Sequence, residues 1–243
     1  MKNILITGSA GGIGSAISEL YLKEGYAVIG LDVQESHIIN KNYHHINCDI
    51  SNPDDLNKLQ NEMKLIIGTS TIEHIICTSA IQALNDHSNI SEKKLLKSLS
   101  INAIAQFKIF NLLKELLVEN KSSFLSINSI HSTLTKKGFI SYSSSKKLLE
   151  GLMDGLSLEF DLHRIKIIQI FPAAIETSML RDGLSEESFK KIASSHPTKT
   201  IGLPKELAEL IFKILSIDSS FMNGAKINFD GGISNLLHDP DLK

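Results

Sequence analysis

The 243-residue sequence has no tryptophan, only two cysteines and no marked excess of either charge. Cys48 and Cys77 are too few to form a disulfide framework, so we expect two free thiols and a reducing, cytoplasmic location. The formal net charge of -2 gives no reason to expect nucleic acid or an anionic membrane as a partner. No apolar run approaches the roughly 20 residues that span a bilayer, and no secretory signal is expected.

Motifs that bind a metal ion or a nucleoside triphosphate are also missing. The sequence has no H-E-x-x-H motif, no paired C-x-x-C motif and no P-loop lysine. The adjacent His44 and His45 are expected to point to opposite faces of a strand, which does not suit a shared ligand. We therefore predict no metal site.

Apolar runs alternate with helical patterns along the whole chain, as repeated βα units require. No linker, repeat or low-complexity tract interrupts this alternation. The sequence therefore predicts an α/β fold with a doubly wound, parallel, seven-stranded sheet in a single domain spanning residues 1–243. The predicted strands lie at about 3–7, 26–31, 43–48, 72–77, 122–128, 165–170 and 225–229.

A glycine-rich turn from Thr7 to Gly14 joins the first predicted strand to a helix. Glycines let the backbone approach a diphosphate, and the helix N-terminus offers free N–H groups. The alternative is a tight strand-to-helix turn without a ligand. The second strand ends at Asp32, 18 residues after Gly14. A carboxylate at this distance can accept hydrogen bonds from adenosine ribose hydroxyls and would repel a 2′-phosphate, which favours NAD over NADP.

Three polar residues follow the fifth predicted strand at a defined spacing. Ser129 comes directly after this strand, Tyr142 comes thirteen residues later, and Lys146 follows Tyr142 by four residues. The pattern of residues 140–160 is helical, so Tyr142 and Lys146 are expected on one helix face. A Tyr-x-x-x-Lys pair alone is common on helices without any catalytic role. Together with the glycine turn, Asp32 and Asn102, however, it resembles the short-chain dehydrogenase/reductase family from Lys2 to about Gly232.

The resemblance implies a Rossmann-type fold, a homo-oligomer (tetramer or dimer) and four catalytic residues. Tyr142 would be the proton donor and acceptor, and the Lys146 ammonium would lower its pKa. Ser129 would polarise the substrate oxygen, and Asn102 would hold a water in a proton relay. In the family's strand order, 3-2-1-4-5-6-7, Cys48 and Cys77 lie too far apart to form a disulfide.

The resemblance also implies cofactor contacts along one groove. A polar residue after the third strand, Asp49, would meet the adenine amino group, although capping of the next helix is an alternative role. Pro172 to Thr177 resembles the segment that contacts the nicotinamide carboxamide, although an ordinary loop is the alternative. The implied contacts are Gly8, Ser9, Gly12, Ile13, Gly14, Asp32, Asp49, Ile50, Ser79, Ala80, Tyr142, Lys146, Pro172, Ile175 and Thr177.

Two segments depart from the family pattern. Thr78–Ala80 stands where the family usually has Asn-Asn-Ala-Gly, so Thr78 and Ser79 would have to make the cross-sheet hydrogen bonds. Ala173 likewise stands in place of a glycine after the sixth strand. Ala80 and Ala173 each carry a methyl group that the family's glycine lacks, and either methyl group would narrow the space for a cofactor.

Two further segments are expected around the site. A long helix at about 91–119 is apolar on more than one face, which indicates cover by the sheet and by a second subunit. Residues 178–201 are expected to form a substrate lid, with Ser185 beginning a helix. The charged residues of this segment, including His196, have a solvated helix face as the alternative. His131 lies two residues beyond Ser129 and is interpreted as a loop residue rather than a substrate contact.

The resulting hypothesis is an NAD-dependent oxidoreductase that interconverts a secondary alcohol and a ketone. Its partner would be a small-molecule alcohol or ketone. The first alternative is an NADPH-dependent carbonyl reductase of the 3-oxoacyl type, against which Asp32 argues. The second is a dinucleotide-binding module without turnover. The sequence does not identify the substrate.

Overall fold

The strands form where apolar residues run almost without interruption, as expected for a parallel sheet that is covered on both faces. The computed structural model describes residues 1–85, 91–182 and 184–237. Seven strands form one parallel sheet in the order β3-β2-β1-β4-β5-β6-β7. The strands are β1 (Asn3–Thr7), β2 (Ala27–Asp32), β3 (Tyr43–Asn47), β4 (Ile72–Cys77), β5 (Ser123–Ile127), β6 (Lys166–Pro172) and β7 (Lys226–Phe229).

Helices cover both faces of the sheet, so the predicted doubly wound architecture is confirmed. The helices are α1 (Gly12–Lys23), α2 (Pro53–Ile67), α3 (Glu92–Leu99), α4 (Ala105–Leu113), α5 (Ile140–Leu158), α6 (Phe160–His163), α7 (Ser178–Arg181), α8 (Glu186–Ser195) and α9 (Pro204–Leu215). One hydrophobic core lies between the sheet and α1 and α9. The second lies between the sheet and α2, α4 and α5.

The strand order also confirms the expectation for the two cysteines. Cys48 follows β3 and Cys77 ends β4, with β2 and β1 between those strands. Both thiols are buried and free. Burial raises the pKa of each thiol to about 12, so both stay protonated and unreactive at neutral pH.

The prediction of a single long helix at about 91–119 is wrong in two respects. A π-helical turn, Ser100–Ile104, separates α3 from α4, and α4 ends at Leu113. A 3₁₀ turn follows, and Leu117 then has extended backbone and forms a bridge with Ile72. The leucine-rich pattern continues through these changes, so periodicity alone does not reveal them. The helix predicted at 140–160 agrees with α5.

Among the helices in the described residues, none combines the length and apolar character that crossing a bilayer requires.

Candidate active site

A cavity of about 480 Å³ opens at the carboxyl ends of the strands, around the point where β1 and β4 lie side by side. In this fold, adjacent strands whose connections run in opposite directions leave a crevice at that point. The cavity is lined by the glycine turn, Asp32, the loops after β4, β5 and β6, and both lid helices α7 and α8. The fold therefore brings most of the predicted site residues to one place.

The glycine turn is packed so closely that side chains do not fit. Gly8 has a φ of 71°, and a Cβ on it would lie 2.7 Å from the Ser79 nitrogen. A Cβ on Gly14 would collide with the Gly8 carbonyl oxygen, and one on Gly12 would lie 2.8 Å from Thr177 Cγ2. The turn therefore holds α1 against both β4 and the loop after β6.

The beginning of α1 faces the cavity with uncapped backbone donors. The first amides of a helix have no partners within that helix, and the N-cap residue, Gly11, has no side chain to satisfy them. Gly12, Ile13 and Gly14 all line the cavity. Free amides, the positive end of the helix dipole and a backbone without side chains fit the diphosphate of a dinucleotide.

Asp32 lies at the end of β2 and lines the same cavity. Its Oδ2 accepts a hydrogen bond from the Ala10 amide and its Oδ1 one from the Gln34 amide, each at 3.0 Å. These bonds fix the carboxylate beside the glycine turn. Each oxygen keeps a further lone pair for a hydroxyl donor.

Three predicted cofactor contacts lie outside the cavity wall. The buried Ser9 hydroxyl accepts a hydrogen bond from the Tyr43 hydroxyl at 3.0 Å. Asp49 Oδ1 accepts hydrogen bonds from the amide and the hydroxyl of Ser51. Ile50 packs in the hydrophobic core. The alternative capping role for Asp49 is wrong, because Asn52 caps α2 by accepting from the Asp54 amide.

The loop after β4 keeps its cross-sheet hydrogen bonds despite its unusual residues. Thr78 Oγ1 donates to the Thr7 carbonyl at 2.8 Å, and the Ser79 amide donates to Thr7 Oγ1 at 3.4 Å. Thr78 therefore makes such a bond through its side chain, as expected, but Ser79 makes its bond through the backbone. Ser79 and Ala80 both line the cavity.

Ser129, Tyr142 and Lys146 converge on the cavity from β5 and α5. The Ser129 hydroxyl accepts a hydrogen bond from the His131 amide at 3.1 Å, which leaves its own proton free to donate. Burial raises the pKa of the Tyr142 phenol, and a hydrogen bond with Ser129 opposes this rise. Ser129 is thus oriented to stabilise negative charge on a nearby oxygen.

Burial sets the protonation of Tyr142 and Lys146. It raises the pKa of Tyr142, and this effect outweighs the Ser129 hydrogen bond. It also lowers the pKa of the fully buried Lys146 to about 7, where Nζ donates to the Ile127 carbonyl at 2.9 Å. The pKa of Tyr142 is thus raised overall, and Lys146 is not among the groups that shift it, so the expected lowering by Lys146 is not found, although Nζ lies 5.7 Å from the phenol ring centroid.

Asn102 is fully buried in the π-helical turn and does not line the cavity. Its side-chain amide forms a matched pair of hydrogen bonds with Ile81: Oδ1 accepts from the Ile81 amide at 2.8 Å and Nδ2 donates to its carbonyl at 2.9 Å. Nδ2 also donates to Ser145 Oγ at 2.9 Å. Asn102 therefore joins the loop after β4 to α5, the helix that carries Tyr142.

The segment after β6 reaches the cavity with Pro172, Ile175 and Thr177. Ile175 is held by a parallel bridge to Gly202. Thr177 caps α7 by accepting from the Leu180 amide, and its hydroxyl lies 3.4 Å from the Ile175 carbonyl. Ala173, which replaces the family glycine, donates its amide to the Phe229 carbonyl and lines the cavity as well.

The predicted lid consists of α7, α8 and the turn after them, with residue 183 outside the described residues. Ser185 begins α8 as predicted, by accepting from the Ser188 amide. The charged residues Arg181 and Lys191 form ion pairs with glutamates, Arg181 with Glu176 and Glu186, and Lys191 with Glu187. The apolar side of the lid faces the cavity with Met179, Leu180 and Ile192.

His196 ends the lid segment and is buried rather than solvated. Its Nδ1 lies 2.8 Å from the Ile192 carbonyl, so Nδ1 carries the proton in the neutral ring. Its Nε2 is buried and has no hydrogen-bond partner among the described residues. The ring lines the cavity, so the solvated alternative is wrong for this residue.

Three side chains lie next to one another beside Tyr142: His131, Lys136 and Phe139. We call this group the 131–139 wall. The Phe139 ring centroid lies 4.8 Å from that of His131 and 6.0 Å from that of Tyr142. Lys136 Nζ lies 4.3 Å from the Phe139 ring centroid. All three line the cavity, so the interpretation of His131 as a loop residue away from the site is wrong.

His131 presents a hydrogen-bond acceptor to the cavity. Its Nδ1 lies 2.9 Å from the Leu134 carbonyl, which can only accept, so Nε2 carries the lone pair in the neutral ring. Burial lowers the pKa of His131 despite this backbone hydrogen bond, and Lys136 lowers it further. No sequence pattern marks Phe139 as a site residue beyond its position three residues before Tyr142.

Within the described parts of the chain, no group of three or more His, Cys, Asp or Glu side chains is arranged to hold a metal ion.

Comparisons with known proteins match nearly the whole chain. A family model described as "Enoyl-(Acyl carrier protein) reductase" matches residues 8–234. The 3-oxoacyl-[acyl-carrier-protein] reductase FabG of Rickettsia typhi is 27% identical over 240 residues, which cover 96% of each chain. The glucose 1-dehydrogenase of Gluconobacter oxydans is 24% identical over 246 residues, which cover 96% of this chain and 92% of the relative.

Among solved structures, a short chain dehydrogenase family protein from Francisella tularensis subsp. tularensis SCHU S4 superposes with a TM-score of 0.88 at 26% identity. The alignment covers 97% of this chain and 100% of that structure. The family model and the superposed fold agree with one another. The chain belongs to the short-chain dehydrogenase/reductase family, whose members are NAD(P)-dependent oxidoreductases acting on CH–OH and keto groups.

Proposed function

We propose that the protein is an NAD-dependent oxidoreductase that interconverts a secondary alcohol and a ketone. The observation that carries this proposal is the convergence of Ser129, Tyr142 and Lys146 on a cavity whose other end holds the glycine turn and Asp32. The first group of residues suits proton transfer, and the second suits a dinucleotide. The bound nicotinamide would supply the hydride acceptor or donor.

In this proposal the chain itself moves the proton and stabilises the charge. Tyr142 accepts the proton of the alcohol in oxidation and donates it in reduction. Ser129 donates a hydrogen bond to the substrate oxygen, where negative charge develops. Lys146 lies beside the phenol and exchanges protons near neutral pH, since burial lowers its pKa to about 7. Asn102 holds α5 and the loop after β4 together, which positions Tyr142.

The choice of NAD rests on Asp32. Its carboxylate is held beside the glycine turn by two backbone amides, where an adenosine ribose would lie. A 2′-phosphate at that place would meet a like charge. The names of the relatives support a second candidate, an NADPH-dependent 3-oxoacyl-type reductase, and a dinucleotide titration separates the two.

The decisive experiment combines a binding measurement with a turnover measurement. Purified protein is titrated with NADH and with NADPH and followed by nucleotide fluorescence; tighter NADH binding is expected. A panel of secondary alcohols and ketones is then assayed with the wild type, Tyr142→Phe and the control Tyr43→Phe, whose hydroxyl bonds Ser9 outside the cavity.

We expect Tyr142→Phe to reduce turnover by about 10²- to 10⁴-fold with NADH affinity nearly unchanged, while Tyr43→Phe keeps its turnover. Equal turnover by Tyr142→Phe and wild type would refute the assigned acid–base role. Tighter binding of NADPH would instead favour the 3-oxoacyl-type reductase. Dinucleotide binding without turnover of any panel member would favour a non-catalytic module.

Self-association is proposed on separate grounds. Leu96, Ile104 and Phe107 on the α3–α4 segment are between 37% and 57% exposed, although they belong to an otherwise buried apolar pattern. A second copy of the chain would cover them, as the sequence predicts. Analytical ultracentrifugation measures the subunit number, and a monomer at micromolar concentration would refute this proposal.

A further inference from the structure

The charged groups that line the cavity are unevenly distributed. Its only carboxylate among the described residues is Asp32, at the glycine-turn end. The other end carries Lys136 and Lys146, together with the two imidazoles of His131 and His196. The end beside Tyr142 therefore has positive charge and no described acid to balance it.

The two lysines at this end are in different situations. Lys146 Nζ is fully buried and already donates to the Ile127 carbonyl. Lys136 Nζ lies over the face of Phe139, with no described carboxylate within 4.0 Å. Lys136 is an exposed residue whose partial desolvation lowers its pKa, and no ion pair with a described residue offsets this effect. Of these two lysines, Lys136 is the one whose ammonium has no hydrogen-bond or ion-pair partner among the described residues, so it is the one available to a charged ligand.

The position of Lys136 determines how the charged group of a ligand would lie relative to the carbon whose oxygen is held at Tyr142. Phe139 lies between Lys136 and Tyr142, and its ring contacts both in edge or cation–π geometry. A group held at Lys136 and an oxygen held at Tyr142 would therefore be the two ends of one small molecule. Phe139 would pack against the carbon chain that joins them.

We infer that the substrate carries an anionic oxygen group, a carboxylate or a phosphate ester, a few carbons from its carbonyl or alcohol, and that Lys136 binds this group. The inference rests on the proposed function, since it names the substrate class of the same site. Lys136 is then the residue that separates acidic substrates from neutral ones. The next residue, Lys137, is exposed and does not line the cavity, so it provides a matched control.

The test uses oxo monocarboxylic acids of four to six carbons, each paired with its methyl ester, and the same ketones as phosphopantetheine thioesters. Initial rates are measured with NADH and with NADPH for wild type, Lys136→Gln, Lys136→Arg and Lys137→Gln. We expect wild type to prefer one anionic form over the ester by about tenfold or more in kcat/KM. Lys136→Gln should abolish this preference through KM, Lys136→Arg should keep part of it, and Lys137→Gln should keep all of it.

The outcomes separate the inference from the proposed function. Preference for the free acid identifies a carboxylate, and preference for the thioester identifies the phosphate of a carrier group. Equal use of acid, thioester and ester, or a preference that survives in Lys136→Gln, overturns the inference while the oxidoreductase stands. If no ketone is turned over, the proposed function fails; calorimetric binding of the acids and thioesters to the NADH-saturated protein then decides the inference. Binding that is absent, or that does not depend on Lys136, overturns it.

Discussion

The two ends of the cavity are built by different means. At the glycine-turn end, the backbone of the turn and a fixed carboxylate line the cavity, and the packing leaves no space even for a methyl group on Gly8 or Gly14. At the other end, side chains from the 131–139 wall and the lid provide the contacts. The first end suits one ligand that does not change, and the second can be altered residue by residue. Cofactor and substrate recognition are therefore separable.

The largest effect is expected from Gly14→Ala. The added methyl group would collide with the Gly8 carbonyl oxygen, and since the colliding atoms belong to the backbone, the turn itself would have to shift. We expect a loss of stability of about 1–3 kcal/mol or more and a loss of NADH affinity beyond tenfold. Thermal unfolding and fluorescence titration measure the two effects.

Gly151→Ala is the matched control for this substitution. Gly151 lies within α5, and nothing lies within 4 Å of an added Cβ. We expect it to raise helix stability by roughly 0.5–1 kcal/mol and to leave NADH binding unchanged. Equal behaviour of the two variants would show that the turn is less rigid than the comparison of the two ends requires.

The next largest effect is expected from Asp32→Asn. The amide keeps one acceptor oxygen for a backbone N–H but removes the negative charge beside the predicted ribose site. We expect the preference for NADH over NADPH to fall by about tenfold, with turnover at saturating NADH little changed. In the control Asp49→Asn, whose side chain lies outside the cavity, the preference should stay as in wild type.

A smaller effect concerns the pH dependence of stability at Lys146. Its pKa is about 7 in the folded chain and near 10.5 in the unfolded chain, so the unfolded chain binds more protons between these values. The free energy of unfolding should therefore rise with pH across this window. In Lys146→Met this contribution should disappear, whereas the exposed Lys147→Met should retain it. Denaturant unfolding from about pH 7 to pH 9 measures the slope; equal slopes would contradict the assignment.

The smallest effect tests whether the 131–139 wall acts as one unit. Burial lowers the pKa of His131 and Lys136 lowers it further, so Lys136→Gln should raise that pKa. A proton NMR titration, with the His131 signal assigned from His131→Asn, measures the shift. An unchanged pKa, or the same shift in Lys137→Gln, would separate Lys136 from His131.

The fold could be predicted well because its signals are local. Each predicted strand agrees with the observed one to within two residues at either end, since buried parallel strands are short apolar runs between turns. The glycine turn was equally clear, because no other residue type fits the backbone at Gly8 and Gly14.

The substrate end could not be predicted in the same way. Lys136 and Phe139 reach the cavity through a loop whose course depends on tertiary packing, and a lysine or phenylalanine in a loop carries no distinctive pattern. The prediction of a lowered Tyr142 pKa is wrong for a related reason. The sequence places Lys146 nearby, but it does not show how deeply both groups are buried. The division of the predicted long helix was missed because a π turn keeps the apolar pattern on both sides.

That π turn has a consequence for the allowed length of the chain. A π turn accommodates one residue more than an α-helical turn, and each residue of an α-helix advances the chain by about 100° around its axis. The five residues Ser100–Ile104 therefore turn the chain about as far as four residues of a regular helix, so α3 and α4 present the same faces as they would in one continuous helix. Deleting one of these residues would restore a regular helix without turning Ser98 away from the core. We expect its main cost to be the Asn102 hydrogen bonds to Ile81 and Ser145, which depend on the path of the chain through the π turn.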